Sequence, residues 1–172
     1  MPTGGRLFLS GGASRQGVGI ALSSRMWRQI EDVSFHVYFS RVCLLNFSIC
    51  AVKFSVLSVY FPTSWDDESE IEAMYEILQL ILTNIRRSGA RIVIGGDFNA
   101  HVGSLQCIDE ANVVGQWGSG LRYARGATLV SWALMNGLQI ASRQSSANNV
   151  DDSWTCQKDN GWNQGAVRLY FE

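Results

Sequence analysis

The chain has 172 residues, 47% of them hydrophobic, with a formal net charge of −1. That length and apolar content suit one sizeable core, so the expected organisation is a single domain over residues 1–172. The near-neutral balance excludes a wholly basic, polyanion-coating chain and leaves a local basic patch open. Charge is uneven: residues 1–63 hold six Lys/Arg against two acids, whereas residues 64–110 hold nine acids against three arginines. The acidic excess falls mainly on one helix and reads as a solvated face. Cys43, Cys50, Cys107 and Cys156 show no C-x-x-C pair, and with no signal peptide at the start they read as buried free thiols in a reducing, intracellular compartment.

In chain order, "GVGIALS" (Gly17 to Ser23) reads as a short strand. Ser34 to Phe39, Val42 to Cys50 and Phe54 to Phe61 read as three more, joined by short connections into an antiparallel meander. The apolar run from Val42 to Phe61 contains Asn46 and Lys53 and is rich in β-branched and aromatic residues, which favours two strands over a membrane span. Pro62 ends the last of them for want of an N–H. The stretch "TSWDDESEIEAMYEILQLILTNIRRSG" is a helix, with Ser64 and Asp67 spaced as a capping box. Its stripe is Ile71, Met74, Tyr75, Leu78, Leu82 and Ile85; Arg86 and Arg87 occupy the last turn and Gly89 closes it. Ile92 to Ile94 reads as a strand buried on both faces. A second helix is expected over about 126–136, stopping at Gly137, and "LQIAS" comes next as a strand. Residues 144–172 form a polar, loop-like tail. The fold class is α/β, with helices covering sheets.

The chemistry concentrates in "RIVIGGDFNAHVG", Arg91 to Gly103. A buried strand carries the residues after its end to the rim of a sheet, where ligand crevices form. Gly95 and Gly96 leave the backbone bare for close approach. In an extended segment Asp97 and Asn99, two apart, would share one side. The carboxylate can take a proton from water or hold a hard cation, and the amide can orient that water or donate to a phosphoryl oxygen. The competing reading of the same letters is an Asx turn after a strand.

"GVGIALS", "SVLSVYFPTS", a helix, "RIVIGGDFNAHVG", "RGATLVSWALMNGLQIAS" and "DSWTC" occur in the order and spacing of the endonuclease/exonuclease/phosphatase superfamily, which the chain resembles over about residues 15–157. The branch it looks most like is the apurinic-endonuclease-like domain of LINE-type (non-LTR) retrotransposons and craniofacial-development-protein-2-like relatives. The resemblance implies a two-sheet α/β sandwich with helices on its outer faces, present here incompletely. It implies a Mg²⁺-dependent DNA endonuclease, with Mn²⁺ as a substitute ion, in which water attacks a phosphodiester. By resemblance Asp97 activates or orients the water, Asn99 holds the phosphate, and Tyr60 of "VYFPT" supports it; Asp97 and Asn99 also serve as metal ligands. Trp154 and Thr155 match a cleft-lining segment, and Arg122 and Arg125 are candidates for touching the DNA backbone. His101 reads as a supporting loop residue.

The sequence departs from the family pattern at both ends. No Gln-Glu or Asn-Glu pair precedes Gly17, and no Ser-Asp-His comes after "AVRLYFE". The expectation is therefore a truncated domain with weakened activity, self-association through exposed sheet edges, and an intracellular location that includes the nucleus. The alternative is a catalytically inactive retroelement fragment or a nucleic-acid- or protein-binding module. A dinucleotide turn in "SGGASRQGVGIAL" fails on spacing, since four residues separate Gly12 from Gly17, and no Tyr has a Lys four positions on. A Walker loop fails because Val18 stands where its Lys belongs.

Overall fold

The computed structural model describes residues 4–11, 17–63, 67–115, 120–141, 156–157, 163–164 and 167–170. The chain divides into two compact units, Met1–Ile94 and Gly95–Phe171.

The first unit opens with a hairpin of which only the second strand was expected: β1 (Arg6–Leu9) pairs antiparallel with β2 (Gly19–Leu22). A single helical turn, α1 (Ser24–Trp27), comes after it, its start capped by Ser23 Oγ accepting the Met26 N–H at 3.2 Å. β3 (Glu31–Phe39), β4 (Val42–Ile49) and β5 (Val52–Tyr60) form the expected antiparallel meander. β6 (Arg91–Asp97) lies beside β5. The period-2 pattern of β4 explains the layering. Cys43, Leu45 and Phe47 pack with Ile20 of the hairpin and with Phe8, Phe35 and Phe54 around it. The alternate residues Leu44, Asn46 and Ser48, with Ile81 and Ile85, line a cavity of about 480 Å³. Its floor carries a chain of polar contacts across three strands. Ser55 Oγ donates to Asn46 Oδ1 at 2.7 Å, Asn46 Nδ2 donates to Ser34 Oγ at 3.2 Å, and His36 Nε2 lies 3.3 Å from the same Ser34 oxygen.

The long helix α2 (Glu68–Ser88) buries Ile71, Met74, Leu78, Ile81, Leu82 and Ile85. Ile81 joins the expected stripe, and Tyr75 sits half-buried at its edge, 4.9 Å from the Phe61 ring. The helix starts later than the capping box predicts. Asp67 is the N-cap, it makes no side-chain capping bond, and Ser64 lies outside the described residues. Glu68 and Glu70 at the start, Arg86 and Arg87 at the end and a left-handed Gly89 (φ 70°) satisfy the dipole and the C-cap as expected. In β6, Ile92 and Ile94 are buried but Val93 is half-buried, so one face of that strand is packed less deeply than predicted.

The second unit takes the last residues of β6 from Gly95, a 3₁₀ turn (Ile108–Glu110), α3 (Ala111–Val114) and α4 (Ala124–Met135). Phe98, Val102, Val114, Leu129, Ala133 and Ile140 are buried within it. α4 begins two residues before the expected position and stops at Met135, with Gly137 at φ 58°. β7 (Gln139–Ile140) pairs antiparallel with β10 (Val167–Tyr170), while β8 (Cys156–Gln157) pairs with β9 (Asn163–Gln164). The loop-like tail predicted for residues 144–172 is corrected where it is described: 156–157, 163–164 and 167–170 are strands, and the rest of it lies outside the described residues. Val167 and Leu169 alternate with Arg168 and Tyr170, a four-residue pattern too short to stand out in the sequence.

The cysteines are corrected too. Cys43, Cys50 and Cys107 are free, but only Cys43 among them is buried; Cys50 and Cys107 are exposed. Burial pushes the Cys43 thiol above its ordinary 9.0. Among the described residues no helix is long and apolar enough to cross a membrane.

Candidate functional site

Asp97 is the last residue of β6 and is half-buried. The two residues before it behave as the bare backbone in the sequence suggests. A Cβ on Gly95 would meet nothing within 4 Å, and Gly96 has φ 145°, a region that side chains rarely enter. After Asp97 the path is not extended. Asn99 adopts a left-handed conformation at φ 47°, and its N–H donates to Asp97 Oδ1 at 2.9 Å. This is the Asx turn that the sequence offered as the competing reading, and it replaces the period-2 argument for the pair. A turn of this kind is compatible with chemistry. It ties the acid to the amide residue's backbone and commits one carboxylate oxygen.

The next residues are anchored in alternation. Phe98 and Val102 are 2% exposed, whereas Asp97, Asn99 and His101 are half-buried. The apolar pair is therefore drawn inward, and the polar residues stay nearer the surface. α4 closes against the same loop. The Tyr123 N–H donates to the His101 carbonyl at 3.2 Å, and the rings of these two residues meet edge to face at 5.4 Å. Gly126 allows this approach: a Cβ there would run into the His101 carbonyl.

Arg122 completes the arrangement, and it corrects the expectation that this residue reaches DNA. Its side chain is 4% exposed. Nε donates to the Val102 carbonyl at 2.7 Å, Nη2 to the Ser104 carbonyl at 3.1 Å, and Nη1 to Glu110 Oε1 at 2.8 Å. A guanidinium presents five donors in a fixed fork, and here three of its nitrogens hold the chain just beyond the Asp97–Asn99 turn. The hydrogen bond from Arg122 holds the Glu110 carboxyl below its ordinary 4.5 against the opposing effect of burial. The sequence signal for this role was slight: one arginine after a glycine-rich loop, with a glutamate twelve positions earlier.

Of the other expected site residues, Tyr60 ends β5 in the first unit and is half-buried. Its N–H donates to the Arg41 carbonyl at 2.9 Å, and the Arg41 guanidinium lies 5.6 Å from its ring centre. Arg41 was missed in the sequence, where it is a lone cation between a turn and an apolar run. Arg125 lies in the first turn of α4, half-buried. Trp154 and Thr155 lie outside the described residues.

Comparison with known proteins places this geometry in context. The sequence profile of the family described as endonuclease-reverse transcriptase matches residues 54–160, which include both Tyr60 and the Asp97–Asn99 turn. Craniofacial development protein 2 of Tragulus javanicus is 28% identical over 128 residues, covering 74% of this chain and 21% of that protein. The chain thus spans about a fifth of the length of the curated relatives it matches. Among solved structures, the endonuclease domain of TRAS1, a telomere-specific non-LTR retrotransposon, superposes with a TM-score of 0.60 at 20% identity, covering 98% of this chain and 65% of that one. The 3′ phosphatase NExo from Neisseria, bound to a product DNA hairpin, gives 0.61 at 17% identity, covering 97% and 66%. The fold is that of these nucleases, and the chain belongs to the endonuclease-reverse transcriptase family of the endonuclease/exonuclease/phosphatase superfamily.

Proposed function

We propose that the chain is a metal-dependent phosphodiester hydrolase acting on DNA, with Asp97 and Asn99 as its reacting pair and Tyr60 as a third contributor. The observation that supports this most is the Asp97–Asn99 turn at the end of β6, lying inside the stretch matched by the family. With Oδ1 engaged by the Asn99 N–H, Oδ2 of Asp97 is the atom left to orient water and accept its proton. The Asn99 side chain is neutral, so its amide can donate to a phosphate oxygen without adding repulsive charge. A phenol at a strand end can donate to the oxyanion that develops as the bond breaks. The product DNA held by NExo supports DNA as the substrate class.

The donors present fit a hard cation. Asp97 and Asn99 offer oxygen, and Mg²⁺ is commonly held through one or two protein groups while keeping waters and substrate phosphates; Mn²⁺ accepts the same set. Among the described residues no three His, Cys, Asp or Glu side chains gather into a cage. The fit rests on the two oxygen donors of Asp97 and Asn99, with waters and substrate phosphates able to complete the shell. When bound, the ion would neutralise charge on the phosphoryl oxygens. An Asx turn is also an ordinary way to end a strand, and this favours a second reading, a binding module that holds nucleic acid or protein without cutting.

A plasmid-nicking assay with Mg²⁺ separates the two. The chain is expected to nick, and Asp97→Ala to slow nicking by roughly a hundredfold or more, the usual weight of a positioned acid–base group. DNA binding without nicking would favour the binding module. Nicking that survives Asp97→Ala would refute the assigned mechanism.

A further inference from the structure

Arg41 sits just before β4, yet its side chain is only 9% exposed. Burying a guanidinium is costly unless its surroundings compensate, so its neighbours carry information. Nη2 lies 3.6 Å from Glu70 Oε2, on the first turn of α2. Glu70 is 54% exposed, and so loose and solvated a pair contributes little on its own. On the other side the guanidinium carbon lies 5.6 Å from the centre of the Tyr60 ring, within the range of a cation–π contact. The two residues are also joined through the backbone, since the Tyr60 N–H donates to the Arg41 carbonyl.

We propose that Arg41 is a positioning residue for Tyr60. This rests on the reading of Tyr60 as a contributor to phosphodiester chemistry. Tyr60 is the last residue of β5; the β4–β5 ladder reaches its backbone through the Arg41 carbonyl, and Pro62 stands two positions on. The hydrogen bond to the Arg41 carbonyl fixes the Tyr60 backbone. The guanidinium face fixes the ring. Arg41 thus meets Tyr60 twice, its carbonyl at the backbone through the ladder and its guanidinium at the ring. A planar, delocalised cation suits this task, and an ammonium does not reproduce it.

The test combines two readouts on the full chain. Carbon-13-labelled tyrosine NMR tracks the Tyr60 ring, assigned by its loss in Tyr60→Phe. Nicking kinetics with Mg²⁺ track the consequence, and thermal unfolding checks that each variant folds. In Arg41→Gln the Tyr60 resonances are expected to move and kcat to fall roughly tenfold, with KM changed less than about twofold, as for an interaction expressed in the transition state. Arg41→Lys is expected to behave like Arg41→Gln. In a Tyr60→Phe background the Arg41→Gln change should cost less than about twofold, because its effect passes through the phenol. Glu70→Gln should leave kcat within about twofold, since a solvated ion pair contributes little. Unmoved Tyr60 resonances, additive losses in the double variant, or an equal loss in Glu70→Gln would each overturn the proposal. A Tyr60→Phe chain with full kcat sinks the catalytic role of Tyr60 instead. A chain with no nicking at all counts against the preceding function, and the ring resonances then decide the Arg41–Tyr60 contact alone.

Discussion

The meander β3–β5 and the stretch from Asp97 to Gly126 hold their shape by different means. In the meander, β4 and β5 pair residue for residue from Val42 opposite Val59 to Ile49 opposite Val52; β4 is buried along most of its length, and β5 at every second residue from Ser55 to Val59. Order there is repetitive and spread over many equal bonds. The stretch from 97 to 126 has little such repetition. Among its described residues, its supports include an Asx turn, the buried Phe98 and Val102, a glycine-permitted approach and an arginine fork. A site built this way can place polar groups near the surface, but each of these supports matters more than any single ladder bond.

Removing the fork tests that contrast most severely. Arg122→Ala leaves Glu110, whose side chain is 18% exposed, without the cation beside it. Breaking a pair of this burial costs about 3 kcal/mol or more. Urea unfolding should show that loss, and amide exchange should rise first in residues 98–105 while the meander amides keep their protection. Equal loss of protection in β3–β5 would break the comparison.

Gly126→Ala comes next. Glycine to alanine within a helix ordinarily stabilises by about 0.5–1 kcal/mol. Here the added methyl meets the His101 carbonyl, so the sign should reverse to a loss of about 2 kcal/mol, in the range of overpacking. A higher melting temperature in this variant would show that α4 does not close on the loop.

The smallest expected effect is on pH. Because Arg122 depresses the Glu110 carboxyl in the folded chain, the stability it contributes is present above the ordinary 4.5 and is lost as pH falls through the lower folded value. Glu110→Gln should therefore lower stability at neutral pH and flatten its decline on the acid side. Titration of urea midpoints between about pH 3 and pH 7 would read this out, spanning the ordinary carboxylate range. Parallel curves for the two chains would remove Glu110 from the clamp.

The same contrast governs how much of the molecule the sequence discloses. The strands 42–61 and the helix ending at Gly89 are written in periodicity, and both appear within two or three residues of their expected bounds, except that α2 starts four residues after Ser64. "GGDFNA" marked the place of the candidate site but not its shape. Extended and turned backbones both suit those letters, and the left-handed Asn99 decides between them. Arg122 misled for a physical reason: a cation read in isolation defaults to solvent or phosphate, and only the fold reveals carbonyls converging on it. β1 and β10 went unrecognised because four-residue strands among glycines and polar residues carry too few alternations to stand out.

The polar chain under α2, from Ser55 through Asn46 to Ser34, also bears on folding. Its bonds close only when β3, β4 and β5 are aligned as they stand, because a shift of one residue would turn the Asn46 amide towards the layer that holds Cys43 and Phe47. An apolar residue at position 46 would tolerate either alignment. The amide thus ties the three strands to one alignment, a constraint the apolar layer on the other face does not supply.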